Sequence, residues 1–153
     1  MSLKFPGSRF LDLYAGTGAV GIEALSRGAT HVTFVESNPH ALSILRENIA
    51  ACHLGEHATV CAKSVRHFLR RVAPGDGSYD ILFADPPYDE THELVDLLAE
   101  LSDGLIAPHA CLVIEHAKKT ALPNELGGCI AVRRYAYGDT TLTMFSRDRP
   151  EAS

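Results

Sequence analysis

A strand-like run followed by three spaced glycines constrains this chain more than any other feature. Phe10–Tyr14 is apolar enough for a buried strand, and Gly16, Gly18 and Gly21 follow at G-x-G-x-x-G spacing. A helix-period segment, Ala19–Arg27, begins inside that spacing. Strand, tight glycine turn and helix in that order make the first unit of an open α/β sheet that binds a ligand at its edge. Gly16 can turn without a Cβ clash, Gly18 lets backbone and ligand approach, and Gly21 lets helix and strand pack closely. Ala15, Gly16, Thr17 and Gly18 are therefore the first candidate binding segment.

The remaining pattern supports that unit. Strand candidates recur at His31–Glu36, Ala58–Ala62, Tyr79–Ala84, Ala110–His116, Ile130–Ala136 and Thr140–Ser146. Helix candidates lie between them at Pro39–Cys52, Val65–Val72 and Thr91–Leu101. Asn38 is placed to cap the second helix, with Pro39 at its first position. Gly28 and Gly55 stand where helix stops are expected, and Gly75-Asp76-Gly77 punctuates before the fourth strand. Such alternation predicts a mainly parallel sheet. Only Tyr137-Gly138-Asp139 separates the last two strands, too little for a crossover, so they should form an antiparallel hairpin. The expected architecture is an α/β sheet of seven strands, Rossmann-like, in one domain over residues 9–147. Residues 1–8 read as a short leader and 148–153 as a tail.

Composition narrows the class. Hydrophobic residues at 46% and charged residues at 22% suit a soluble globular domain, with no apolar run of membrane-spanning length and no secretory signal. Cys52, Cys61, Cys111 and Cys129 form no C-x-x-C pair. Neither a structural metal nor a disulfide framework is expected, and a reducing cytoplasm with the cysteines as buried small hydrophobes fits best. A net charge of −5 argues against strong generic nucleic-acid binding. The short basic clusters at Arg66–Arg71, Lys118–Lys119 and Arg133–Arg134 read first as solvated faces.

The chemistry concentrates at strand ends. Asp85-Pro86-Pro87-Tyr88 follows the apolar run Tyr79–Ala84, at the sheet edge where ligands bind. Two prolines stiffen that turn and leave its carbonyls free to accept. A carboxylate, a fixed carbonyl and an aromatic face can hold a flat ring bearing an exocyclic amine. The plainer alternative is a loop start, since Asp-Pro and Pro-Pro are common turns. Glu36, with Ser37 after it, stands about 20 residues past the glycine loop, where a carboxylate accepts from ribose hydroxyls. Its alternative is a surface carboxylate at a strand end. Spacing alone does not separate a nicotinamide cofactor from S-adenosylmethionine. Asp12 before the loop favours the second, because a carboxylate suits a cationic amino-acid end better than a pyrophosphate. The terminal hairpin and the Asp-Pro-Pro-Tyr turn point the same way. Ser64 either bonds an adenine or caps the helix after it, and Val65 can pack on the adenine face.

With these residues placed, the chain resembles the bacterial RsmD family, the 16S ribosomal RNA guanine-N2 methyltransferases. The matching stretches are Leu11–Gly18, Glu23–Ala29, Phe34-Val35-Glu36, Asp85–Tyr88 and Tyr137-Gly138-Asp139-Thr140. The likeness runs from about Arg9 to Phe145. It implies S-adenosylmethionine as cofactor and no metal. It also implies ribosomal RNA or the small ribosomal subunit as partner, with Asp85, Pro86, Pro87 and Tyr88 catalytic and Asp85 also at the cofactor. The family carries a basic N-terminal segment and a helix ahead of the first strand, neither of which this sequence contains. A DNA adenine or cytosine amino-methyltransferase uses the same tetrapeptide, and a non-catalytic S-adenosylmethionine-binding fragment is the alternative of a different class. An NAD-dependent oxidoreductase stands behind these, for want of a Tyr-x-x-x-Lys pair.

Overall fold

The computed structural model describes residues 3–72, 78–100 and 104–148. Eight strands form one sheet in the order β3-β2-β1-β4-β5-β8-β7-β6. They are β1 Arg9–Leu13, β2 His31–Val35, β3 Ala58–Cys61, β4 Tyr79–Ala84, β5 Ile106–Ala117, β6 Glu125–Leu126, β7 Cys129–Tyr137 and β8 Thr140–Ser146. The helices are α1 Ala19–Ser26, α2 Pro39–Ala51, α3 Val65–Arg71 and α4 Thr91–Ala99. Strands β1 to β5 pair parallel, and β8 runs antiparallel to both β5 and β7. The expected parallel sheet with a terminal hairpin is therefore present.

One strand more is found than the seven expected. β6 has two residues and pairs with the start of β7 through Gly127-Gly128. Both glycines have positive φ, 59° and 82°, as a two-residue hairpin turn requires. Gly55 is a second correction. α2 ends instead through His53, whose φ is 56°, and Gly55 opens a single 3₁₀ turn. Gly28 does follow α1, with φ 104°. β5 is longer than expected and starts at Ile106, with an irregular register against β4 between Tyr79 and Ile81. Cys111 and Cys129 are buried as expected, whereas Cys52 is exposed and Cys61 partly so. Gly75-Asp76-Gly77, Leu101 and most of the tail lie outside the described residues.

Alternation along the strands divides the core. Leu11, Leu13, Leu82, Leu112 and Ile114 face one side, against Leu69 of α3 and Leu94 and Leu98 of α4. Phe10, Val32, Phe34 and Ile81 face the other, against Leu25 of α1 and Leu42 and Leu45 of α2. On that second side β5 and β8 contribute a smaller cluster, Cys111, Val113 and Met144, joined among the described residues by Leu3, Phe83, Val132 and Leu142. The strand order reverses between β1 and β4, which are hydrogen-bonded neighbours. A crevice at the carboxyl ends of those two strands is where such a sheet binds its ligand.

Candidate active site

The crevice at that reversal is an open cleft of about 520 Å³, lined by Tyr14, Glu36, Ser37, Asp85, Pro86, Pro87, Tyr88 and Glu90. Both predicted strand-end clusters meet there. The β1 end gives Tyr14, the β2 end gives Glu36 and Ser37, and the β4 end gives the Asp85–Tyr88 turn.

The glycine loop is held by backbone and carboxylates. Ala15 N–H donates to Val35 O at 3.0 Å and Gly18 N–H to Ala15 O at 3.0 Å. Glu36 Oε1 accepts from Gly16 N–H at 2.8 Å. Glu36 Oε2 accepts from Ser37 and Asn38 N–H at 3.1 and 2.9 Å. Three of the roughly four acceptor positions of a carboxylate are thereby used. Glu36 is no simple surface carboxylate: it ties the loop to the start of α2 and still lines the cleft. Thr17 is exposed, and its carbonyl accepts from Asn48 Nδ2 at 2.9 Å. Asn38 caps α2 as expected, its Oδ1 accepting from Ala41 N–H.

Of the three glycines, Gly16 and Gly21 have the surroundings expected, and Gly18 has a packing contact that was not. Gly16, φ 59°, has nothing within 4 Å of where a Cβ would be, so its open side is free for a ligand. At Gly18, φ 92°, a Cβ would lie 2.4 Å from Leu45 Cδ1 of α2. The missing side chain at Gly18 thus admits the core. At Gly21 a Cβ would meet Phe34 Cε1 at 2.3 Å and Val32 Cγ1 at 2.9 Å, which is the close helix–strand packing expected.

Asp12 is only 2% exposed and lies beneath the loop, not on the cleft lining. Its Oδ2 accepts from Gly21 N–H at 3.1 Å. α1 begins at Ala19 with no side-chain cap of its own, so Asp12 satisfies one of its free N–H groups from the strand. Burial pushes the Asp12 carboxyl up to about 7 against the opposing Gly21 hydrogen bond, and Glu36 and Asp85 add repulsion. Asp85 is raised to about 6, by burial first and then by a hydrogen bond with Glu115 and its charge. Among the described residues, the charges that shift these two groups are carboxylates. The edge is electronegative and suits a cation.

Ser64 is the N-cap of α3, its Oγ accepting from His67 N–H at 3.1 Å. Of its two expected roles the structure shows the cap. Val65, the first residue of α3, is 5% exposed, belongs to the core with α4 and is not part of the cleft lining. In the Asp-Pro-Pro-Tyr turn, Pro86 is buried while Asp85, Pro87 and Tyr88 are exposed, Tyr88 at 61%. A 3₁₀ turn, Tyr88–Glu90, leads on into α4, with Glu90 N–H donating to Pro87 O at 2.9 Å.

Three residues escaped the sequence reading. Tyr14 lines the cleft and has φ 57°, a left-handed conformation costing an aromatic residue roughly 1–3 kcal/mol. Burial pushes its phenol well above the ordinary value, with Glu90 and Glu93 adding to it. Glu115 on β5 and Tyr137 on β7 join Asp85 from the neighbouring strands. The available signal for Glu115 was an acidic residue closing an apolar run, as at Glu36.

Comparison with known proteins shows the family and the fold. The family model described as "Conserved hypothetical protein 95" matches residues 1–146. "Putative rRNA methyltransferase YlbH" of Bacillus subtilis is 33% identical over 144 residues, covering 94% of this chain and 78% of its own. "Ribosomal RNA small subunit methyltransferase D" of Escherichia coli K12 is 27% identical over 140 residues, covering 90% and 68%. A conserved hypothetical protein of Streptococcus pyogenes superposes with a TM-score of 0.85 at 28% identity, covering 94% and 88%.

Proposed function

We propose that this chain, which belongs to the Conserved hypothetical protein 95 family, transfers a methyl group from S-adenosylmethionine to the N2 amine of a guanine in small-subunit ribosomal RNA. The observation that carries the reading is the meeting of Glu36 and Asp85–Tyr88 in one electronegative cleft at the strand reversal. The relatives named above as rRNA methyltransferases supply the substrate class.

The residues fit the cofactor. Bound there, S-adenosylmethionine supplies an electrophilic sulfonium methyl. Gly16 leaves open space beside the loop, and Glu36 has an acceptor position left for a ribose hydroxyl. The carboxylates Asp12, Glu36 and Asp85 favour a sulfonium and an ammonium, and would repel the pyrophosphate of a nicotinamide dinucleotide. Asp12 acts from below, by fixing the loop.

Asp85 does the work on the substrate. A guanine amine is a poor nucleophile because its lone pair delocalises into the ring. Hydrogen bonds to the Asp85 carboxylate and the Pro86 carbonyl hold the amine pyramidal and aim that lone pair at the methyl. As positive charge grows on the nitrogen, the carboxylate stabilises it. A carboxyl raised to about 6 is also a better acceptor for the departing proton than an ordinary one, while still ionised at neutral pH. Tyr88, already exposed, stacks on the unstacked base, worth roughly 1–3 kcal/mol.

The test is radiolabelled methyl transfer to ribosomal RNA and to small subunits, followed by nucleoside digestion. N2-methylguanosine is the expected product. Label on adenine or cytosine amines, or on DNA alone, would replace the guanine assignment, and no transfer to any nucleic acid would remove the catalytic one.

A further inference from the structure

Glu115 is the feature that the proposed chemistry leaves unused. Parallel pairing of β4 with β5 sets Ala84 opposite Ile114, so the next residues, Asp85 and Glu115, come out side by side. The two carboxyls are close enough for Glu115 to act on Asp85 by both hydrogen bonding and charge. On the far side, Tyr137 Oη donates to Glu115 Oε1. That contact crosses from β7, with β8 between the two strands. Tyr137 is itself 53% exposed, so this phenol is spent on Glu115 at the surface and not on the core. One oxygen of Glu115 is thus fixed by Tyr137 while the carboxyl stays beside Asp85.

We propose that Glu115 is the residue that selects guanine, by accepting a hydrogen bond from the ring N1–H while Asp85 holds the N2 amine. This rests on the guanine reading given above and adds its specificity. Guanine presents two adjacent donors on its pairing edge, N1–H and N2–H. Two adjacent carboxyls present matching acceptors. When the base enters, its two N–H groups donate to the two carboxylates and offset their mutual repulsion. Adenine and cytosine carry an unprotonated ring nitrogen next to their amine. Its lone pair would face the Glu115 carboxylate with no proton between them. A site built around a donor on the substrate rejects the analogue that lacks it far more strongly than a shape difference could. Tyr137 serves as the positioning residue that keeps the Glu115 oxygen in line.

The experiment uses the full chain and an RNA hairpin carrying the guanine that the transfer assay identifies. A second hairpin has 2-aminopurine at that position, which keeps the amine but has a bare N1. The ratio of kcat/KM for the two hairpins is compared between the wild type and Glu115→Gln. The wild type should prefer guanine by at least about 100-fold. Glu115→Gln still accepts from Tyr137, but its amide can donate to a bare N1, so the preference should collapse or invert. Tyr137→Phe should weaken the preference less. An unchanged ratio in Glu115→Gln, with both hairpins turned over, overturns this proposal and leaves the methyl-transfer reading standing. Absence of transfer to guanine by the wild type brings down the earlier reading, and this one with it.

Discussion

One wall of the cleft is made of backbone and the other of side chains. On the cofactor side, Gly16, Ser37 and Asn38 N–H groups all converge on Glu36, and Ala15 and Gly18 are locked by main-chain bonds. Its glycines admit packing partners from α2 and β2, so the wall cannot shift without moving the core. On the substrate side, Asp85, Pro87 and Tyr88 stand exposed on a proline-stiffened turn, with the Glu115 carboxyl beside Asp85. A small ligand of fixed shape can be met by a rigid wall built in advance. A base that must leave its stack arrives with a chain attached, and is met by side chains that can trade one hydrogen-bond partner for another.

The largest effect should come from the side-chain wall. Asp85→Ala should lower methyl transfer by about 10²–10³-fold, as for loss of one transition-state electrostatic partner. Affinity for S-adenosylhomocysteine, measured by calorimetry, should stay within about twofold, because the two walls act separately. Rate should also report the raised carboxyl. The ionised form is the active one, so kcat/KM should fall as pH falls through about 6 and level off above it. Asp85→Asn should lose that step. Near wild-type transfer by the alanine variant would make the turn purely structural. An equal loss of cofactor affinity would show that the walls are one unit.

On the other wall, Glu36→Ala should weaken S-adenosylhomocysteine binding by ~1.5–3 kcal/mol, the range for a charged hydrogen bond. Three backbone donors lose their acceptor in that variant, so part of the effect comes from a loosened loop. Glu36→Gln separates the two, since it keeps an acceptor oxygen for Gly16 and so should keep the loop while losing charge. Unchanged affinity in both variants would remove Glu36 from the cofactor site.

Gly21→Ala tests the packing behind that wall. An added Cβ at 2.3 Å from Phe34 must displace the ring, and overpacking of this kind costs roughly 1–3 kcal/mol. Denaturant unfolding should show that loss with an unchanged slope. Gly16→Ala makes the complementary case: its Cβ meets nothing, so the penalty is that of a positive φ alone, about 1–2 kcal/mol. If Gly16→Ala proves more damaging to stability than Gly21→Ala, the loop and not the helix contact is what the fold depends on.

Legibility in the sequence followed the same division. The strand-turn-helix unit, the parallel order and the closing hairpin are local patterns of period and punctuation, and all were visible. So were Glu36 and Asp85, because acidic residues closing apolar runs mark strand ends. What stayed hidden depends on which elements become neighbours. Gly18 looks like a ligand glycine until Leu45 of α2 is seen to fill its space. Val65 reads as an adenine contact until α3 turns it into the core. Glu115 carries the signal of Glu36, but becomes Asp85's partner only through the pairing of β4 with β5. β6 is two residues long, too short for any periodicity to register.

The smallest expected effect concerns how RNA reaches the side-chain wall. Three basic clusters were legible, and the structure sorts them by position. Arg66 is paired with Glu93 across α3 and α4. Arg71 lies beside Tyr79 and Leu105, at the start of β4 and just ahead of β5, the edge opposite the cleft. Lys118 and Lys119 instead share a cavity with Tyr88, the residue proposed to stack on the base, and with Asp139. With a net charge of −5, few phosphates can be neutralised, so these two lysines should carry a visible share of the contact. Each single-strand phosphate contact contributes about 0.7 to the slope of log affinity against log salt. Replacing both Lys118 and Lys119 by Ala should therefore flatten the slope by roughly 1 to 1.5 and weaken binding alike for target and mutated hairpins. Arg71→Ala should leave it unchanged. A salt titration of the three proteins on one ribosomal RNA hairpin decides it. If Arg71→Ala flattens the slope and the lysine pair does not, the strand passes along the opposite edge of the sheet. The side-chain wall would then have to receive its base from a direction that Tyr88 does not face.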